Sequence, residues 1–199
     1  MTAGLILAAG ESRRMGSPKA LLPFRGESFL DTLIGLLAPV CSPVIVVLGA
    51  EAERIRAAAS RPAAFVYNQD YLRGQTSSLQ CGLRAAPASA DGVLFTLVDH
   101  PALSRPTLHR LLAPVGPERL RIPRYRGQKG HPIWFARDLI GEFLSLDAGG
   151  AARDVVRAHV AETAFLDVDD PGILADIDDP EAYRRLMEMP ASGPSGVPV

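Results

Sequence analysis

The chain has 199 residues, 47% hydrophobic and 22% charged, which is enough to bury one sizeable core and too few for two ordinary domains. Its 21 basic and 22 acidic residues leave a formal net charge of −1 without long blocks of either sign, so neither nucleic acid nor an anionic membrane is an expected partner. A small molecule or another protein is.

From the N-terminus, the apolar run GLILAA meets Glu11 and Arg13 without a preceding basic segment, so a cleaved leader is not expected. No segment reaches the roughly 18 apolar residues of a membrane span, and a cytoplasmic chain is expected. Strand-length apolar runs and helix-spaced segments then alternate. Strand 4–8 is followed by helix 29–37, strand 44–48, helix 51–59, strand 64–67, helix 77–86, strand 93–98 and helix 105–112. Strands 120–123 and 131–135, helix 151–159 and strand 163–168 complete the series. Runs such as VIVVL and VLFTLV have no polar side and must be covered on both faces. The pattern predicts an α/β fold: a single-domain, three-layer αβα, Rossmann-like sheet, mostly parallel. Ligands would then sit beyond the carboxyl ends of its strands, where the loops from Gly10, Asn68 and Asp99 should converge. Residues 1–189 are read as this domain. Residues 190–199, PASGPSGVPV, hold three prolines, two glycines and no charge, and are read as a disordered tail. Cys41 and Cys81 lie far apart beside apolar residues, with no metal-ligand spacing, and read as reduced, partly buried thiols.

The stretch LAAGESRRMGSPK is neither a Walker A loop nor a dinucleotide GxGxxG. Its glycines nevertheless let backbone N–H groups approach oxygens, and Arg13 or Arg14 with Lys19 can offset a polyphosphate charge; a surface turn with solvated cations is the alternative. Asp99 ends an apolar strand, where a carboxylate needs a cation or hydrogen-bond donors. A Mg²⁺ shared with substrate phosphates would supply one, and a helix cap or salt bridge is the competing explanation. Asn68, Gln75, Thr76, Ser77 and Ser78 form a polar loop before a helix, suited to an anion or base, while N-capping by Thr76 or Ser77 would also explain it. Lys129 and His131 stand at the entrance to a strand; a neutral strand-edge histidine is the alternative for His131. Trp134 alternates with Ile133 and Phe135, so one face of that strand should be core. His109 and His159 should be exposed. Asp179, just before Pro-Glu, suits a helix cap.

L-A-A-G-E-S-R-R-M-G-S-P-K-A-L-L-P resembles the signature LAAGxSxRMGxxKxLLP of the molybdenum-cofactor-type nucleotidyltransferases, especially the molybdopterin cytidylyltransferases. The resemblance continues in order through GQTSSLQCGL, LVDHP, GQKGHPIWF, GGAARDVV and DIDDPEAY. It implies a sheet of the nucleotide-diphospho-sugar transferase type. It also implies an Mg²⁺- or Mn²⁺-dependent transfer of CMP from CTP to the phosphate of molybdopterin, a phosphorylated pterin, releasing pyrophosphate. Under it Leu7, Ala8, Ala9 and Gly10 read the base, and Arg14 and Lys19 grip the triphosphate. Asn68, Gln75, Ser77 and Ser78 flank the nucleotide. Asp99 and Asp178 hold the metal, with Asp176 as the fallback, and Arg14, Lys19 and Asp99 carry catalysis. LAAG, with Ala9, is like the CTP-selective branch, whereas guanylyltransferases of the superfamily usually read LAGG. The GHP segment implies that His131 lines the acceptor side. His100 departs from the Met or Gln usual after the aspartate; it is assigned to the acceptor side, with turn-capping or plain packing also open. A molybdoenzyme or its chaperone would receive the product. The other readings are a GTP-using or sugar-phosphate-type transferase and a non-catalytic cofactor-delivery chaperone.

Overall fold

Side-chain alternation along each strand decides how the core divides. The computed structural model describes residues 1–113, 116–147 and 149–188; the segment expected as a tail, 190–199, lies outside them. The strands are β1 (Thr2–Ala8), β2 (Pro23–Phe24), β3 (Glu27–Ser28), β4 (Val44–Leu48), β5 (Ala64–Tyr67), β6 (Gly92–Leu97), β7 (Leu120–Tyr125), β8 (Gln128–Lys129), β9 (Ile133–Ala136) and β10 (Thr163–Asp167). The α-helices are α1 (Phe29–Leu37), α2 (Ala52–Ala58), α3 (Gln75–Arg84), α4 (Arg105–Leu112), α5 (Ile140–Leu144), α6 (Ala152–Ala158) and α7 (Pro180–Glu188).

The main sheet runs β10-β7-β9-β6-β1-β4-β5, with β8 paired to β7, while β2 and β3 form a separate hairpin. β1 is parallel to β4 and β6, β4 to β5, and β7 to β10. β9 runs antiparallel to both β6 and β7, so the sheet is mixed and mostly parallel. Ile6, Val46 and Leu94 enter one core with Leu33 of α1, Ile55 of α2, Leu108 of α4 and Leu186 of α7. Leu5, Val47, Val93 and Phe95 enter the other with Leu79 of α3, Phe143 of α5 and Val155 of α6. Two helical layers thus sandwich the sheet, as the unbroken apolar strands require.

Trp134 packs into the first core and Phe135 into the second, so both faces of β9 are buried rather than the single face expected. The cause is position: β9 lies between β6 and β7, inside the sheet. Cys41 is buried, and burial pushes its thiol up to about 12; Cys81 is half-buried, and both are free. No helix among the described residues is long and apolar enough to cross a membrane.

A strap from the C-terminal segment completes the end where the parallel strands finish. The buried Asp170 carboxylate accepts hydrogen bonds from the Ser104 N–H, the Thr107 hydroxyl and the Gly172 N–H. His131 N–H donates to the Ile173 carbonyl and Ile177 N–H to the Asp99 carbonyl, at 3.0 and 3.1 Å. The last of these holds residues 176–178 against the end of β6.

Candidate active site

β1 delivers Leu7 and Ala8 to the edge of a cleft of about 440 Å³, and the loop after it supplies Ala9, Gly10, Arg13, Arg14 and Lys19. Gly16 adopts φ +67°, the left-handed region that glycine enters without steric cost. Ser12 enters it too, at φ 51°, and its hydroxyl accepts the Lys19 N–H at 2.9 Å while its carbonyl accepts the Met15 N–H. The loop is thereby closed into a compact turn that fixes where Lys19 starts. Gly49, just after β4, packs closely against the turn: a Cβ there would lie 2.7 Å from the Ala9 carbonyl oxygen and 2.6 Å from Tyr71 Cβ.

The charged groups meet at the centre. Lys19 Nζ donates to Asp99 Oδ2 at 2.9 Å and to Asp178 Oδ1 at 2.7 Å, and the Arg14 guanidinium donates to Asp178 Oδ2 at 2.6 Å. The Lys19 and Asp99 side chains are only 12% and 17% exposed, against 40% for Asp178 and 66% for Arg14. Burial alone would lower the Lys19 pKa, but the hydrogen bonds and charges of Asp178 and Asp99 outweigh it and leave the ammonium raised above its ordinary 10.5. The Lys19 hydrogen bond, helped by Arg14, holds the Asp178 carboxyl below its ordinary range despite some burial. Asp176 moves the other way, pushed up by burial and by the neighbouring charges of Asp99 and Asp178. Arg13 pairs with Glu11 at the rim.

Asp178, expected to share a metal with Asp99, accepts hydrogen bonds from the two cations through both of its oxygens. Among the described residues, Asp99, His100 and Asp176 bring ligand atoms within 4.8 Å of one another. Asp99 Oδ1 is buried without a hydrogen-bond partner, which is the state of an oxygen available to a cation. The donor set therefore fits a divalent metal, with Asp176, the fallback for the second carboxylate, close to Asp99. Asp179 caps α7, accepting the Ala182 N–H at 2.8 Å.

The polar loop before α3 divides its labour. Gln75 and Ser78 line the cleft, together with Tyr71, Leu72 and Ile55, whose part nothing in their sequence context signals. Asn68 is buried and braces the loop from behind, donating to the Ser77 and Ser78 hydroxyls. No side chain caps α3, so the capping alternative does not hold: Gly74 is its N-cap, Thr76 donates to the Gly150 carbonyl, and Ser77 donates to the carbonyls of Asp70 and Gly74.

A second cavity, of about 390 Å³, shares Gln75 with the first. Its walls are mainly apolar, from Leu79, Phe95, Ile122, Phe135, Phe143 and Val156, and Lys129, His131 and Arg153 add polar groups. Arg153 was not distinguished in the sequence, where it is one of 21 basic residues. Burial lowers the His131 pKa to about 4, so its ring is neutral at pH 7. His100 is buried behind Asp99, lines neither cavity, and lies 4.9 Å from His131 ring to ring.

The sequence matches the MobA-like NTP transferase domain over residues 4–163. The chain belongs to that family. It is 34% identical to the nicotine blue oxidoreductase of Paenarthrobacter nicotinovorans over 197 residues, which cover 92% of this chain and 95% of that protein. It is also 34% identical to the purine catabolism protein PucB of Bacillus subtilis strain 168 over 198 residues, 92% of this chain and 96% of that one. With the molybdenum cofactor cytidylyltransferase of Escherichia coli K12 it shares 24% identity over 186 residues, 92% of this chain and 94% of the relative. Mycobacterium tuberculosis Rv0371c, solved as a complex with manganese, superposes with a TM-score of 0.78 at 30% identity, covering 95% and 99% of the two chains. The sheet is thus of the nucleotide-diphospho-sugar transferase type that the resemblance implies.

Proposed function

We propose that the protein is a cytoplasmic cytidylyltransferase that moves CMP from CTP to the phosphate of molybdopterin. The observation that carries this reading is the cluster at the strand ends: a glycine-bearing turn, two cations and three carboxylates, beside a mainly apolar second cavity. LAAG, with Ala9 at the cleft wall, and the similarity to the Escherichia coli cytidylyltransferase support CTP over GTP.

In this reading the turn at Leu7, Ala8, Ala9 and Gly10 presents backbone groups to the base. Arg14 and Lys19 leave their carboxylates for phosphate oxygens, and Gln75, Ser77 and Ser78 bound the nucleotide's edge. The apolar second cavity takes the pterin, with Arg153 and Lys129 placed to attract its phosphate and neutral His131 serving as a hydrogen-bonding wall. An acceptor phosphate oxygen, ionised at neutral pH, forms a bond to the α-phosphorus. The bond from that phosphorus to the bridging oxygen breaks, and pyrophosphate departs with the electron pair. No protein base is required, so positioning and charge neutralisation by Arg14 and Lys19 do the work. Asp99 and Asp176 would hold Mg²⁺ or Mn²⁺, which supplies charge neutralisation at the phosphates. Asp178, once released by the two cations, is available as a further ligand of that metal, and a molybdoenzyme or its chaperone would receive the product.

The test is pyrophosphate release with CTP, GTP, ATP and UTP, each with and without molybdopterin; release requiring both CTP and molybdopterin is expected. The 34% identity to a relative named an oxidoreductase favours one second reading. Conversion of nicotine blue without pyrophosphate release would establish that reading instead.

A further inference from the structure

His100 occupies the position after Asp99 with a side chain only 7% exposed. Its Nδ1 is buried with no hydrogen-bond partner, and its Nε2 lies 3.9 Å from Asp99 Oδ1, the carboxylate oxygen that also lacks a partner. Nε2 is therefore the nitrogen turned to the carboxylate, and the Asp99 Oδ1 it faces is a buried oxygen without a partner, which calls for an explanation, since such groups are ordinarily hydrogen-bonded. Lys19 engages Asp99 through Oδ2, leaving Oδ1 to face the imidazole, and Asp176 brings a further oxygen within 4.8 Å of both. Arg14 and Lys19 occupy Asp178. The cations thus use one set of carboxylate oxygens, while a second set, joined by a nitrogen, stays unengaged.

We infer that His100, Asp99 and Asp176 form a mixed nitrogen-oxygen site that selects a borderline first-row divalent cation, such as Mn²⁺ or Co²⁺, over Mg²⁺. Mg²⁺ takes oxygen ligands almost without exception, whereas imidazole suits first-row transition metals increasingly along the series from Mn²⁺ onward. The site lies in the crevice assigned above to CTP. The inference rests on that reading only for the metal's role in turnover, because the ligand set itself stands on geometry.

The decisive measurement uses the full chain with metal alone and no nucleotide. Isothermal titration of Mn²⁺, Co²⁺ and Mg²⁺ into the protein should give Mn²⁺ and Co²⁺ binding at least about tenfold tighter than Mg²⁺. His100→Gln, which keeps a polar side chain of similar reach, should weaken Mn²⁺ and Co²⁺ by about tenfold or more and change Mg²⁺ little. Pulsed electron paramagnetic resonance of Mn²⁺ on the unaltered protein should show coupling to an imidazole ¹⁴N, a readout that needs no variant to fold. Absent ¹⁴N coupling, unaltered Mn²⁺ affinity in a folded His100→Gln, or equal Mg²⁺ and Mn²⁺ affinities would each overturn the inference. Failure of CTP-dependent pyrophosphate release with the ¹⁴N signal intact would overturn the proposed reaction and leave the metal site standing.

Discussion

Lys19→Ala should damage both catalysis and folding, and the two losses can be separated. In the free protein Lys19 Nζ bonds to Asp99 at 2.9 Å and Asp178 at 2.7 Å from a side chain only 12% exposed. Removing one partner of a fully buried pair costs roughly 3–5 kcal/mol, and of a surface pair about 0–1 kcal/mol. Asp99 is near the buried end of that range, whereas Asp178 is 40% exposed and keeps Arg14, so its share is discounted for solvent. The expected stability loss is about 1–3 kcal/mol, read from urea denaturation. The loss of one charged contact to the transition state adds about 2–4 kcal/mol to the barrier, or about 30- to 1,000-fold in kcat/KM, read from pyrophosphate release. Adding Asp99→Asn to Lys19→Ala should restore part of the stability, because it removes the carboxylate left unpaired, and none of the activity. Arg14→Ala, at an exposed pair, should show the kinetic loss with little change in stability. Unchanged stability in Lys19→Ala, or kcat/KM within about twofold of normal, would refute the charge-neutralisation argument.

Ala9→Gly should relax the proposed preference for CTP over GTP, because Ala9 lines the cleft; an unaltered ratio of kcat/KM values would place base selection elsewhere. Asp99→Asn and Asp176→Asn should each remove most turnover, and the double variant should cost little more, since ligands of one ion fail together. Additive losses would assign them separate tasks. Activity should vanish in EDTA and return with excess divalent cation, and full activity in EDTA would remove metal from the mechanism. His159 accounts for the fourth expectation: hydrogen bonds to Glu162 at 2.8 Å and Glu142 at 2.6 Å raise its pKa above the ordinary 6.5. A raised folded-state pKa gives stabilisation that is complete below pH 6.5 and lost as pH rises through the higher value. The stability difference between the protein and His159→Gln should therefore shrink on going upward from pH 6.5, and a difference growing with pH would contradict the pairing.

Elements whose apolar pattern was long enough to repeat were legible from sequence. α1, α4, β4 and β5 begin and end where expected, because each fills a stretch between turn residues with one unbroken pattern. α5 has five residues, less than two turns, and the hairpin strands β2 and β3 have two each, too few for any period to show. His159 is expected at the surface on account of charged neighbours in its own stretch; one nearby acid, Glu162, and Glu142, brought in by the fold, instead clamp it, leaving its side chain 14% exposed. The site follows the same logic. Its residue types were legible, since a turn with Arg14 and Lys19 and an acid ending an apolar strand announce themselves locally. Their pairing was not, because it depends on the strap that carries residues 176–178 back to Asp99 through one backbone hydrogen bond.

That pairing alters what nucleotide binding must be. Two solvated loop cations would simply attract a triphosphate. Here Lys19 and Arg14 already satisfy carboxylates that would otherwise repel it, their two charges matching those of Asp99 and Asp178. A triphosphate must take Arg14 and Lys19 from Asp178 and Asp99, and the carboxylates so released are left with negative charge that only another cation can compensate. Binding is thus an exchange of ion-pair partners, in which nucleotide and divalent metal each make room for the other. Measured calorimetrically, CTP affinity should rise with metal concentration well beyond what metal complexation by CTP in solution explains. The excess should disappear in Asp99→Asn.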